Sequence, residues 1–258
     1  MAAKIGAETG ARWAAIVGVH LVVVLIWYLV VELGDIPKFV IASPHATFMS
    51  LFDTYPWFEN TLVTTIEIFG GYFLAVVVGV GLALIFSWFR TVESLLMPLV
   101  VSLNMIPKVA LGPLIIVWFD YGPTTNIIIA FSISFLPILI TTARGLREVE
   151  PDLIDLVKTL RATRWQVFIK IQLPGSLPYI FSGMKVAVVL AVAGAIVGEI
   201  IASDSGLAYL IGQVQVTLDT AAMMMAVILI TLVGVALYLI VLGLEHLLVV
   251  RDARVETV

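Results

Sequence analysis

The chain has 258 residues, 61% of them apolar and only 12% charged, with mean hydropathy +1.12 and a formal charge of −4. Soluble domains carry about 25% charged residues, so this usage excludes an ordinary water-facing globule and predicts an all-α integral membrane protein. There is no cysteine, which removes disulfides, thiolate metal sites and cysteine nucleophiles.

A helix crosses ~30 Å of hydrocarbon with about 20 apolar residues. Six stretches meet that demand in chain order: 13–31, 62–89, 95–119, 124–142, 177–202 and 221–250. The first has too long an apolar run for a signal peptide, and no small-residue cleavage site follows it. The second is interrupted only by Glu67. The third contains Pro98, Pro107, Lys108 and Pro113, and the fourth Pro137. The fifth holds Lys185 and Glu199. The whole chain, 1–258, reads as one membrane domain with no room for a soluble ATPase.

Cytoplasmic loops accumulate Lys and Arg. With the N-terminus inside, all 14 basic residues except Lys38, Lys108 and Lys185 fall on inner segments, and the outer loops carry Glu32, Asp35, Asp53, Glu59, Asp120, Asp204 and Asp219. Six spans with both termini cytoplasmic fit that distribution.

Two loops exceed simple connectors. In the outer one, Ser43-Pro44 is an N-cap followed by proline at the first helical position. The spacing of Phe48, Leu51, Phe52 and Tyr55 predicts a short interfacial helix. The cytoplasmic loop 143–174 predicts two amphipathic helices. One opens at Pro151, with Leu153, Leu156, Val157 and Leu160 on one face and Asp152, Asp155 and Lys158 opposite. The other opens at the capping box Thr163-Arg164-Trp165-Gln166, shows Trp165, Phe168 and Ile169 on one face, and is expected to end at Pro174. From pattern alone two readings are open: a rigid knob for a partner, or a loop lying on lipid headgroups.

Ionisable groups inside spans are costly and default to functional hypotheses. Glu67 lies in the outer part of the second span. Lys108 follows Pro107, which removes a backbone hydrogen bond and kinks a helix. Lys108 either lines a pathway or snorkels and pairs as structural glue. For Lys185 the structural reading is favoured. Glu199 either gates an outer mouth or pairs locally. Asn104, near Lys108, is a candidate substrate contact. Glu67, Asn104, Pro107, Lys108 and Glu199 are the candidate pathway residues. The repeats Ala75, Gly79, Ala83 and Ala187, Ala191, Ala195 suit close helix packing. His20, His45 and His246 make no ligand spacing, so no metal site is expected. No P-loop, dinucleotide fingerprint or nucleophile elbow occurs, so no catalytic residue is expected either.

The string Asp155-Leu156-Val157-Lys158-Thr159-Leu160-Arg161, nine residues, then Ile171-Gln172-Leu173-Pro174 resembles the EAA loop, E-A-A-x3-G-x9-I-x-L-P, of ABC importer permeases. Its end matches. Its front departs, with Asp-Leu-Val at the start and Arg161 where the family has the turn glycine. A left-handed Arg161 would cost on the order of 1 kcal/mol; the alternative is a rebuilt turn. Ile106-Pro107-Lys108-Val109-Ala110-Leu111-Gly112-Pro113-Leu114, Trp118-Phe119, Leu177-Pro178-Tyr179-Ile180 and Ser205-Gly206-Leu207 after Glu199 resemble the nitrate/sulfonate/taurine-type permeases over nearly the whole chain. Asp120 stands where that family usually has Gly, and so does Ala208.

The resemblance implies a type I ABC importer permease fold of six transmembrane helices in a bacterial inner membrane. It also implies a homodimer with the pathway between copies, two ABC ATPase subunits on the cytoplasmic loops and an external substrate-binding protein. Asp155, Arg161, Thr163, Arg164, Trp165, Gln166, Phe168, Leu173 and Pro174 would couple to the ATPase, with Thr163–Ile171 as the coupling helix. ATP and Mg would sit on the partner, with no cofactor on this chain and no nucleic-acid partner. The cargo would be a small organic or anionic nutrient: of the sulfonate, taurine or nitrate type, or a vitamin or pyrimidine precursor. Glu67, Pro107-Lys108 and Leu218-Asp219-Thr220 look more like the latter branch. The competing class is an ion-gradient-driven secondary transporter or channel without an ATPase, although no internal repeats are evident.

Overall fold

The computed structural model describes residues 2–148, 157, 159 and 161–249, all helix or connecting turn. The predicted loop helix opening at Pro151, with Asp155 on it, lies outside the described residues. In chain order the helices are α1 (Ala2–Leu33), α2 (Pro44–Met49), a 3-10 turn (Ser50–Phe52), α3 (Trp57–Trp88), α4 (Arg90–Asn104) and α5 (Lys108–Phe119). Then come α6 (Pro123–Gly145), α7 (Arg164–Val167), a π-helical turn (Phe168–Gln172), α8 (Leu173–Ala202), α9 (Leu207–Val216) and α10 (Thr220–Leu248). The described residues form two compact units: Met1–Trp57 with Leu210–Ile228, and Phe58–Tyr209 with Leu229–Val258.

Five helical runs are long and apolar enough to cross a membrane: Ala15–Leu33, Trp57–Trp88, Pro123–Gly145, Arg164–Ala202 and Thr220–Leu248. They cover five of the six predicted stretches. The remaining stretch, 95–119, is two helices rather than one. It breaks at Met105-Ile106-Pro107, with Pro107 in extended backbone (φ −63°, ψ 108°) as the N-cap of α5. Proline supplies no N–H and its ring excludes the carbonyl four residues back, so the helix stops before it.

Pro174 does not end its helix as the sequence led us to expect. Arg164–Ala202 is one helical run of 39 residues. Pro174 follows the π turn at Phe168–Gln172 and occupies the first turn of α8. The wider π turn relieves the backbone where a proline would otherwise break the ladder.

The core of the larger unit is α6 packed between α3 and α8. Small residues set its spacing, because lipid gives apolar helices no drive to associate and close van der Waals approach must supply it. Gly71 on α3 and Gly194 on α8 both lie against Ala130 of α6, and Gly183 lies against Thr141. The two predicted small-residue stripes point inward: Ala75, Ala83, Ala187, Ala191 and Ala195 are all fully buried. Deeper apolar packing comes from Ile68, Ile138, Phe181, Val188 and Val241.

In the smaller unit the predicted outer-loop helix forms as α2. Ser43 Oγ accepts the N–H of Ala46 at 3.3 Å and Pro44 takes the first helical position. Trp27 Nε1 on α1 donates to the Ala42 carbonyl, and Thr220 Oγ1 to the Phe39 carbonyl. The segment is thus tied to the C-terminal part of α1 and to the start of α10.

Candidate functional site

Asn60, Thr64 and Glu67 lie four and three residues apart on α3, so they share one face of that helix. On that face they meet Glu199 of α8 and Asn126 of α6. All five are buried, with Glu67, Thr64 and Asn126 fully so and Glu199 at 1% exposure. Thr64 Oγ1 donates to Glu199 Oε1. Asn126 Nδ2 donates to Glu67 Oε1 at 2.8 Å. The carboxyl groups of Glu67 and Glu199 are neighbours. Glu67 Oε2 and Asn126 Oδ1 have no hydrogen-bond partner among the described residues.

The role of this cluster is visible in what it holds. A helix start leaves four backbone N–H groups without intrahelical acceptors. At the start of α9, four consecutive N–H groups are taken by these side chains. Gly206 N donates to Asn60 Oδ1 at 2.8 Å, and Leu207 N to Thr64 Oγ1 at 2.8 Å. Ala208 N donates to Glu199 Oε2 at 2.6 Å and Tyr209 N to the same oxygen at 3.4 Å. Gly206 adopts φ 109° against the Glu199 carboxyl, where a Cβ would collide. The Ser205-Gly206-Leu207 sequence therefore lets the chain turn directly over Glu199. Glu199 thus pairs locally, with Thr64 and with the start of α9. Asn60, Thr64 and Asn126 were not among the sequence candidates, although the spacing of Asn60, Thr64 and Glu67 carried a polar stripe.

Asn104, Pro107 and Lys108 form a second group at the α4–α5 break. Lys108 Nζ donates to the Asn104 carbonyl at 2.6 Å and to the Leu103 carbonyl at 3.4 Å. Both carbonyls lie in the last turn of α4, where Leu103 also accepts the Ile106 N–H at 3.3 Å, so the ammonium caps the helix end and complements its dipole. Asn104 Nδ2 reaches the Ser132 carbonyl of α6 at 3.3 Å. Among the described residues no ion pair joins Lys108 to Glu67 or Glu199. The sequence-predicted pathway residues thus fall into two separate polar groups.

Lys185 of α8 pairs with Glu245 of α10 at 3.1 Å, both almost fully buried. Arg147, just past α6, pairs with the buried Glu93 of α4.

The capping box predicted at Thr163–Gln166 forms. Thr163 Oγ1 accepts the Gln166 N–H at 3.3 Å and Gln166 Oε1 accepts the Thr163 N–H at 2.9 Å, a complete capping box. The shared apolar face predicted for Trp165, Phe168 and Ile169 is divided. Phe168 is buried against Phe86, Leu139 and Leu146, whereas Trp165 and Ile169 are exposed. Trp88, the last residue of α3, sits 5.5 Å from Phe168 and 5.8 Å from Trp165, ring centre to ring centre. Phe168 therefore seats the short helix on its own chain, leaving Arg164, Trp165 and Gln166 outermost. Leu173 is half-buried and Pro174 exposed. Arg161 adopts φ 56°, the left-handed conformation that the family's glycine supplies. Asp120, the other departure from glycine, has φ 64° and ψ 179°.

The family described as "Binding-protein-dependent transport system inner membrane component" matches residues 71–251. The chain is 32% identical over 227 residues to a probable ABC transporter permease protein of Haemophilus influenzae, covering 87% of this chain and 92% of that one. It is 34% identical over 247 residues to the riboflavin transport system permease protein RibX of Chloroflexus aurantiacus, covering 94% and 92%. It is 29% identical over 230 residues to the formylaminopyrimidine transport permease protein ThiX of Halalkalibacterium halodurans, covering 88% and 92%. A solved structure of the MetNI methionine ABC transporter in an inward-facing conformation aligns with TM-score 0.55 and 20% identity, over 71% of this chain and 94% of that one, a likeness of fold. With its long apolar helices and capped loop, the chain belongs to the binding-protein-dependent ABC importer permeases, multi-pass proteins of the bacterial inner membrane.

Proposed function

We propose that this permease works as a homodimer of single 1–258 domains, driven by two ATPase subunits seated on residues 161–174 and supplied by an external binding protein. The observation that carries this reading is the continuous run Arg164–Ala202. Its N-terminal turn is the capped, outward-facing helix, and near its far end stands Glu199. At 1.5 Å rise per residue the run spans about 58 Å. A push by the ATPase on Arg164 and Trp165 is then relayed along one rod to the residue that holds the start of α9. The π turn and Pro174 supply the compliant point. Nucleotide state on the partner biases this two-position element, and alternating access follows. The chain itself makes and breaks no covalent bond; ATP hydrolysis belongs to the partner.

For cargo, we infer a small heteroaromatic vitamin or pyrimidine precursor. The support is the near-full-length likeness to permeases named for riboflavin and formylaminopyrimidine. A relative named for aliphatic sulfonates is 26% identical over 83% of this chain.

The test is reconstitution. Uptake into proteoliposomes should require ATP, the ATPase and the binding protein together, and Trp165→Glu should abolish ATPase assembly while the permease still folds. Uptake by this chain alone under an ion gradient would overturn the proposal. Normal assembly of the Trp165→Glu variant would remove the coupling assignment. Thermal-shift screening of the binding protein against riboflavin, pyrimidine precursors and sulfonates decides the cargo.

A further inference from the structure

A cavity of about 690 Å³ opens between the end of α3, the start of α4 and the segment that carries α7. Ser87, Trp88, Arg90, Arg164, Phe168 and Gln172 form most of its wall, and among the described residues no Asp or Glu lines it. The two arginines come from different segments: Arg90 opens α4 and Arg164 opens α7. Arg144, Arg147 and Lys185 each have a carboxylate partner, in Glu148, Glu93 and Glu245. Among the described residues Arg90 and Arg164 have none.

An arginine presents a planar fork of N–H donors that matches phosphate oxygens in pairs. Two forks on one cavity, with the Gln172 amide and Ser87 hydroxyl beside them, suit a multivalent oxyanion. The N-cap of α4, Phe89, offers no side-chain acceptor to the helix start, so the dipole adds to the positive potential there. The cavity also lies at the basic end of the bundle, which the positive-inside rule places at the cytoplasmic leaflet. That leaflet carries the anionic headgroups, and indoles such as Trp88 favour that depth.

We propose that this cavity binds a phosphate group, presented by an anionic phospholipid headgroup or by a free cytosolic phosphate. Its occupant would bridge α4 and α7 beside the aromatic seat of Trp88 and Phe168, fixing the short helix against the bundle. This assignment goes beyond the transport reading and shares Arg164 with it, so binding is measured on the chain alone, without ATPase, ATP or cargo.

The experiment follows thermal unfolding of the purified full-length chain in detergent while phosphatidylglycerol, phosphatidylcholine or inorganic phosphate is added. Phosphatidylglycerol should protect the wild type more than phosphatidylcholine does. Arg90→Gln with Arg164→Gln should weaken that binding by roughly tenfold for each charge-assisted bond lost. Arg90→Lys with Arg164→Lys keeps the charges and loses the forks. It should fall between the two and serves where the neutral pair does not fold. Protection by inorganic phosphate, lost in the same variants, assigns the site to a free phosphate instead. Equal protection of wild type and variants by every additive, or lysine variants that bind as the wild type does, would overturn the proposal.

Discussion

Glu199 Oε2 accepts the backbone N–H of Ala208 at 2.6 Å, joining the end of α8 to the start of α9 across a turn that Gly206 makes possible. The same carboxyl takes the Thr64 hydroxyl on its other oxygen. An acidic residue in a membrane helix thus serves as an acceptor for an otherwise open helix start.

Glu199→Ala leaves the Thr64 hydroxyl and the Ala208 N–H buried without acceptors, which costs about 1–3 kcal/mol for each group. Glu199→Gln is also expected to destabilise, because its amide replaces one of two accepting oxygens with a donor. Glu67 behaves differently. Its Oε2 faces the Glu199 carboxyl without a hydrogen bond of ordinary geometry, so Glu67→Gln places an N–H donor beside that carboxyl. Thermal unfolding in detergent should show a lower Tm for both Glu199 variants and an unchanged or higher Tm for Glu67→Gln. A matching loss at Glu67→Gln would contradict this account.

Two residues occupy backbone positions suited to glycine. Arg161→Gly should stabilise by about 1 kcal/mol, the cost of a left-handed side-chain-bearing residue. Asp120→Gly should gain about 1–3 kcal/mol, since its φ and ψ lie in a region populated almost only by glycine. Equilibrium unfolding measures both. A loss of stability at either position would show that side-chain contacts outweigh the relief of strain.

The Lys185–Glu245 pair predicts a non-additive result. Removing one partner of a buried pair costs about 3–5 kcal/mol, whereas replacing both by apolar groups is close to neutral. Lys185→Met and Glu245→Leu should each lower stability sharply, and the double variant should recover most of it. A double-mutant cycle with additive losses would argue against direct coupling.

In the smaller unit, Tyr55 donates to Asp219 Oδ2 at 2.8 Å, and Asp219 Oδ1 accepts the Ala222 N–H at the start of α10. That hydrogen bond first, then burial and the nearby Asp219 charge, raise the Tyr55 phenol above its ordinary value. A raised phenol contributes stability that is complete below the ordinary pKa of about 10 and is lost as pH climbs through the raised value. Wild type should therefore lose stability more steeply than Tyr55→Phe in that alkaline window, and the two should run parallel at neutral pH. Identical alkaline profiles would remove the assigned role.

The sequence by itself determined the membrane-spanning class, the placement of five long helices, the caps at Ser43 and Thr163, and the family. These rest on local or periodic signals: apolar run length, a hydroxyl three residues before its amide, and spacing along one loop. It did not determine where α4 and α5 part, that the helix runs through Pro174, or what Glu199 and Lys108 do. A proline breaks a helix or rides a π turn according to how the neighbouring backbone is packed, and that packing is tertiary. Glu199 became a cap only because Asn60 and Thr64, at least 135 residues before it in the chain, meet it and the Gly206 turn in space. Lys108 capped α4 because the break at Pro107 left the Asn104 carbonyl within its reach. A buried polar group takes its meaning from its partners, and those partners are brought to it by the close packing of small residues between helices.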